Sequence, residues 1–325
     1  MSDTFRASAQ TVFLQMAFEF LQVALSLHNC KVTPFCGFIT YPKALFLIAA
    51  RPHWSIASHH THNMQQVKAK KALGQHFLTD LSVAQRIADT LSQYVGTPVL
   101  EIGPGMGVLT QYLMQAGHSL KVVELDGESV DYLNEKYPAL HGNIIADDFL
   151  KLDLKAIYGD SNFCVIGNYP YNISSQIFFK VLDYKDQVKC CSGMLQREVA
   201  QRLAAGPGSK VYGILSVLLQ AWYDIEYLFT VDENVFNPPP KVKSGVIIMR
   251  RNGVTDLGCD ERLFKTVVKT SFGQRRKMLR GSLRGMLPKD CELLKDPFFA
   301  LRPEQLSVAD FVRLTNMVKQ ANAQQ

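Results

Sequence analysis

The chain has 325 residues, 47% of them apolar and 20% charged, which argues for a packed core of one large domain or two and against disorder. Its net charge of +6 is mildly basic, so the placement of charge tells more than the sum.

Residues 1–63 differ in composition from the rest of the chain. They hold five of the eight histidines but only four Lys/Arg and two Asp/Glu. Thr11–Leu27 is 17 residues long with Glu19 inside it, short for a membrane span. No basic n-region precedes it, no small-residue cleavage site follows, and Arg is too sparse for a mitochondrial presequence. Two readings remain for this atypical extension, a leader or anchor, and an upstream translation ahead of a true start at Met64. The missing targeting signals favour the second.

From Met64 the character changes. QQVKAKKALGQHFL is basic and then apolar. Thr79 or Asp80 caps a predicted helix in which Val83, Ile87 and Leu91 recur every four residues, and Gly96-Thr97-Pro98 breaks it. VLEIG is a short buried strand, followed by PGMG and a helix with Leu109, Leu113 and Ala116 on one face. LKVVELD is a second strand, and Glu128–Tyr137 a helix stopped by Pro138. NIIADD and FCVIGN are the third and fourth strands, Ile173–Tyr184 a helix, and CCSGMLQ a fifth strand. Arg197–Ala205 is helical up to GPGSK, and KSGVIIMRR is one more strand. Only helices are expected from Glu261 onward, which puts a boundary at Asn252-Gly253. The alternation predicts an α/β fold over residues 64–252, a mostly parallel sheet with helices on both faces, followed by an all-helical segment over 253–325.

The seven cysteines form no CxxC pair and no Cys/His metal spacing, so they read as thiols of a reducing compartment, and no metal site is expected. Residues 262–284 carry eight Lys/Arg and no Asp/Glu, a block able to contact phosphates or to be a solvated helix face.

The ends of four strands carry the chemistry. Gly103-Pro104-Gly105-Met106-Gly107 joins the first strand to a helix, and glycines there allow a tight turn and close approach of backbone to ligand. The spacing is GxGxG and not the GxGxxG of dinucleotide sites, and alone it is a weak signal. Glu124, 21 positions after Gly103, ends the second strand, where an acid accepts ribose hydroxyls. Asp147 and Asp148 end the third, where a carboxylate accepts from an adenine amino group. At the fourth, the Asn168 amide and the Tyr169 backbone carbonyl are two acceptors for one exocyclic amine. Tyr171 is a stacking platform for an unstacked base, and Pro170 stiffens the backbone between them.

IGNYPYNIS resembles the NLPYNIS motif of the ribosomal RNA adenine dimethyltransferases of the KsgA/RsmA type. KALGQHFLTD is similar to that family's GQNFL motif, EIGPGMGVLT to its cofactor loop, and VVELD to its ribose acid. GPGSKVYGILSVLLQ, FNPPPKVKSGVI, SFGQRRKMLRGSL and RPEQLSVADF come after these as further family blocks in the right order. The resemblance runs from about Val67 to the last helix and has no counterpart for residues 1–63.

The resemblance implies a class I methyltransferase fold with a small helical C-terminal domain that binds RNA. It implies S-adenosylmethionine as cofactor and dimethylation at N6 of two adjacent adenosines in the hairpin near the 3′ end of small-subunit (16S) ribosomal RNA. It implies a pre-30S particle as partner, a monomer, and a cytoplasmic, non-membrane, metal-free setting. The family's cofactor contacts fall on His76, Leu78, Gly103, Gly105, Glu124, Asp148 and Asn168. Asp148 is chosen over Asp147 because ADDFLKLD matches the family's GDFLKLD. His76 stands where many members have Asn, and Tyr169 replaces a common Leu, whose backbone role survives the change. Phe236, before Asn237, matches a second aromatic wall for the adenine, although its residue-level reading is a core Phe before a proline-stiffened turn. Lys68, Lys70, Lys71, Arg275, Arg276, Lys277 and Arg280 become phosphate contacts. The nearest alternative is the large-subunit adenine dimethyltransferase of the macrolide-resistance type, against which the PPPKV and QRRKMLRGSL blocks weigh. A DNA adenine methyltransferase, a nicotinamide dehydrogenase and a non-catalytic RNA-binding assembly factor fit less well.

Overall fold

A computed structural model describes residues 67–323. The expected extension and the start at Met64 lie outside them. The described residues fall within one compact unit.

The first strand, β1 (Phe77–Leu78), leads into α1 (Leu81–Ala88). Asp80 caps α1: its Oδ1 accepts from the backbone N–H of Ser82 at 2.9 Å and of Val83 at 3.3 Å. Four strands come next with their helices: β2 (Val99–Ile102), α2 (Thr110–Gln115), β3 (Leu120–Glu124), α3 (Gly127–Lys136), β4 (Ile144–Ala146), α4 (Leu154–Tyr158), β5 (Phe163–Asn168) and α5 (Ser174–Asp183). Beyond them lie β6 (Val188–Gln196), α6 (Arg197–Ala204), α7 (Ile214–Gln220), β7 (Tyr223–Val231), β8 (Phe236–Asn237) and β9 (Ser244–Arg251). The helical remainder is α8 (Glu261–Gly273), α9 (Leu279–Ser282) and α10 (Val308–Ala323), with short 3-10 turns between.

Seven strands form one sheet in the order β4-β3-β2-β5-β6-β9-β7. The strands from β4 to β6 pair in parallel, while β9 runs antiparallel to both β6 and β7. The sheet is thus mostly parallel with an antiparallel edge. Successive residues alternate between two cores. Leu100, Val165, Cys191 and Ile247 face one, and Val99, Cys164, Ile166, Cys190 and Ile248 face the other. Helices therefore cover both faces. The second core holds α1. The first also takes Phe264, Val267, Phe272, Leu279 and Phe311, so the helices after Gly253 share a core with α5 and α7.

Two larger elements differ from the sequence reading. α7 is buried on all sides from Leu215 to Leu219, so it lacks the periodic apolar stripe that marks a surface helix. β7 is an edge strand with outward Asp224 and Glu226 and a register shift at Tyr227/Phe229, which disturbs its alternation. β1 pairs with β8 (Leu78↔Phe236), a two-residue contact across 158 positions that no local pattern foretells. Among the described residues no helix is long and apolar enough to cross a membrane, and no His/Cys/Asp/Glu cluster has the makings of a metal site.

Candidate active site

The chain leaves β2 in two directions, to β3 and β4 on one side and to β5 and β6 on the other. The carboxyl ends of β2 and β5 diverge at that switch point and open a crevice. The cleft there encloses about 1270 Å3, solvent at its mouth included. Its walls bring together His76, Leu78, Gly103, Gly105, Glu124, Asp147, Asp148, Asn168, Tyr169, Pro170 and Tyr171.

The glycine loop forms the floor. Gly105 adopts φ +54°, and a Cβ there would come within 2.9 Å of the Phe77 ring. Its N–H donates to Glu124 Oε2 at 3.0 Å. The other carboxylate oxygen of Glu124 accepts from the Asp126 N–H at 2.9 Å. Glu124 is 6% exposed, and burial pushes its carboxyl pKa up against those two amides. Each amide occupies one lone pair, and the carboxylate keeps others for hydroxyl donors. Asp148 Oδ1 accepts from the Leu150 N–H at 3.0 Å, and the Asp147 carboxylate accepts from the Asp148 N–H at 2.6 Å. Both aspartates line the cleft.

Asn168 ends β5. Its Nδ2 donates to the His76 carbonyl at 3.1 Å, and Oδ1 accepts from none of the described residues. None of the described residues donates to the Tyr169 carbonyl. Tyr169 is 1% exposed, and its phenol donates to the Ser192 carbonyl at 2.6 Å, so the ring belongs to the core. The Tyr171 hydroxyl is 2.5 Å from Ser244 Oγ, and its ring centroid is 5.5 Å from that of His76.

A strap over residues 70–78 lines the other wall from Leu73 to Leu78. Lys70 bonds Asp126 and lies 3.0 Å from Glu128, and Gln75 Nε2 donates to Asp126 at 3.4 Å. Burial alone would raise the Asp126 carboxyl, but the hydrogen bonds from Lys70, Ser129 and Gln75 hold it below its ordinary range. His76 Nδ1 is 2.8 Å from the Pro238 carbonyl.

Phe236 is not brought to the cleft. It is 4% exposed and packs in the core that holds α1, because pairing of β8 with Leu78 turns its ring inward. Of the basic residues, Lys68, Lys71, Arg276, Lys277 and Arg280 are exposed. Arg275 is committed within the protein, its Nε donating to Glu304 at 2.8 Å and its Nη2 to the Ser209 and Lys210 carbonyls. Lys70 is likewise engaged by Asp126.

One acid in the wall escaped the sequence reading. Glu101 lies inside β2, is 1% exposed, and its Oε2 has no hydrogen-bond partner among the described residues. Burial pushes its carboxyl pKa up to about 8, opposed by the neighbouring Thr110 hydroxyl. The signal was present: VLEIG carries a lone acid in an otherwise apolar buried strand.

A family model described as ribosomal RNA adenine dimethylase matches residues 66–320. The ribosomal RNA small subunit methyltransferase A of Parabacteroides distasonis is 72% identical over 252 residues, 78% of this chain and 94% of its own length. The protein of the same name from Flavobacterium johnsoniae is 57% identical over 256 residues, 79% of this chain and 98% of its own. Among solved structures, a dimethyladenosine transferase from Plasmodium falciparum superposes with a TM-score of 0.63 at 21% identity, covering 76% of this chain and 98% of that one. The 23S rRNA methyltransferase ErmE superposes with a TM-score of 0.55 at 26% identity, covering 75% and 100%.

Proposed function

The chain belongs to the ribosomal RNA adenine dimethylase family, and we propose that it dimethylates N6 of two adjacent adenosines near the 3′ end of small-subunit ribosomal RNA. Relatives at 57–72% identity carry the small-subunit name, whereas the 23S enzyme is 26% identical, which favours the small subunit over the large. We place the reaction on a small-subunit particle under assembly, in the cytoplasm, with the protein as a monomer and without a metal.

The cleft fits S-adenosylmethionine on its own geometry. Gly105, at φ +54° against the Phe77 ring, lets the loop turn tightly along the cleft, and the backbone-held Glu124 and Asp148 present acceptors at two successive strand ends. Glu124 would hold the ribose hydroxyls, Asp148 the adenine amine, and Gly103, Gly105, His76 and Leu78 the surrounding walls. When bound, the cofactor supplies a methyl group made electrophilic by the sulfonium sulfur.

The observation that carries the reading is the pair of acceptors at the end of β5. Asn168 has its Nδ2 engaged and its Oδ1 free, beside a Tyr169 carbonyl without a donor among the described residues. Two acceptors on one exocyclic amine draw its nitrogen out of conjugation with the base, and they meet the positive charge that develops on that nitrogen. Tyr171 offers its ring to the extruded adenine, with its hydroxyl tied to Ser244. No general base near neutrality is required; the residues act by positioning and by excluding water. Lys68, Lys71, Arg276, Lys277 and Arg280 contact phosphates, the last three from the helical segment after Gly253, while Arg275 positions that segment through Glu304.

Asn168→Ala tests the reading with unmethylated small subunits and labelled S-adenosylmethionine. Methyl transfer falls at least about a hundredfold with the melting temperature retained. Near-normal transfer would overturn the assignment.

A further inference from the structure

The phenol of Tyr169 has no role in the chemistry above, yet its environment is highly specified. The ring packs edge-on against Phe178 at 5.6 Å between centroids. Its hydroxyl donates to the Ser192 carbonyl at 2.6 Å and lies 3.3 Å from Cys191 Sγ. Its backbone N–H donates to the Met194 carbonyl at 2.8 Å. Both ends of the residue are therefore tied to β6, two positions apart.

The slot for the ring is made by two glycines that are register partners, Gly167 and Gly193. A Cβ at Gly193 would lie 2.2 Å from the Gly167 carbonyl and 2.8 Å from the Tyr169 ring. One at Gly167 would lie 2.5 Å from the Ile102 carbonyl and 3.1 Å from the ring. Ser192, which supplies the anchoring carbonyl, is itself fixed. Its Oγ donates to the Ile247 carbonyl at 3.0 Å and accepts from Thr90 Oγ1 at 2.7 Å. Burial, with the Cys191 thiol alongside, keeps the phenol pKa well above its ordinary value of 10, so the hydroxyl stays a donor at working pH.

With its ring buried and bonded, the part of Tyr169 that lines the cleft is its main chain. Pro170 fixes the next φ. A leucine at this position, as in the related motif, keeps the backbone anchor but has nothing to bond to Ser192.

We propose that Tyr169 is a positioning residue whose phenol, bonded to the Ser192 carbonyl, orients the 169–170 peptide so that the Tyr169 carbonyl serves as the second acceptor of the target amine beside Asn168 Oδ1. This rests on the function proposed above. A misplaced acceptor raises the barrier to transfer while leaving the binding surfaces for cofactor and RNA untouched.

Tyr169→Phe keeps the ring and removes the one hydroxyl. Kinetics with S-adenosylmethionine and unmethylated small subunits, cofactor affinity and melting temperature are measured on this variant, the unaltered protein and Asn168→Ala. The expected result is a roughly tenfold lower kcat, with KM for both substrates, cofactor affinity and melting temperature within about twofold or a few degrees of the unaltered protein. An unchanged kcat overturns the proposal. So does a loss that tracks weaker cofactor binding, a raised KM or a collapse of the fold, each of which would make the phenol a packing group only. If Asn168→Ala transfers normally, the acceptor reading itself fails. If Asn168→Ala is inactive and Tyr169→Phe is unaffected, only the positioning role is lost.

Discussion

Glu101→Gln probes the electrostatics of the cleft wall. The Glu101 carboxyl moves from an ordinary 4.5 to about 8 in the folded protein, driven by burial. The folded state therefore holds a proton that the unfolded chain has released between those two values. Stability from this group is fully present below pH 4.5, declines as pH rises through the window, and is flat above pH 8. At about 1.4 kcal/mol per pH unit, the loss across the window sums to about 5 kcal/mol. Glutamine has nearly the same shape and no titration. Urea unfolding of both proteins at half-unit steps from pH 4.5 to 9 reads the difference between their stabilities, in which other titrating groups shared by the two cancel. That difference grows in favour of Glu101→Gln by several kcal/mol and levels off above pH 8. Parallel curves would refute the reasoning, since they would mean that Glu101 titrates in the fold as it does in the unfolded chain.

Five further outcomes are expected. Glu124→Ala removes the acceptor held by the Gly105 and Asp126 amides, and cofactor affinity by calorimetry falls at least about tenfold, about 1.4 kcal/mol; unchanged affinity contradicts its ribose role. Gly105→Ala sets a side chain at φ +54° and 2.9 Å from Phe77, costing about 1–2 kcal/mol of backbone strain before any contact is displaced, so cofactor binding and activity fall together. Lys70→Ala releases the strap from Asp126, and cofactor dissociation by stopped flow speeds up several-fold with little change in melting temperature. Arg276→Ala with Lys277→Ala weakens subunit binding and shallows its salt dependence by about one to two in log–log slope, whereas Arg275→Ala lowers the melting temperature because its guanidinium holds Glu304 and the Ser209 and Lys210 carbonyls.

The strand ends were legible because each is a short apolar run stopped by a glycine, an acid or an amide. β2, β3, β4 and β5 fall where those runs predict, and their carboxyl ends line one cleft. Elements whose pattern is erased by context were not legible. α7 is buried all round, and β7 is a bulged, charged edge. Partners distant in sequence were equally hidden. Lys70 reads as one of three clustered cations, yet it is held by Asp126, 56 positions on. Phe236 reads as either a wall or a core residue, and pairing with Leu78 sends it to the core. For Tyr169 the sequence pointed to the carbonyl and not the phenol. Why the phenol is there depends on Ser192 and on the glycines of two adjacent strands, which no single motif contains.

Methylation of small-subunit RNA adenine at N6 is read most directly on whole ribosomal subunits. Unmethylated small and large subunits are incubated together with the protein and labelled S-adenosylmethionine, and the modified positions are mapped by mass spectrometry of the digested RNA. The expected products are two adjacent N6,N6-dimethyladenosines near the 3′ end of the small-subunit RNA and none in the large. Label in large-subunit RNA, or on adenosines elsewhere in the small subunit, would contradict the claim.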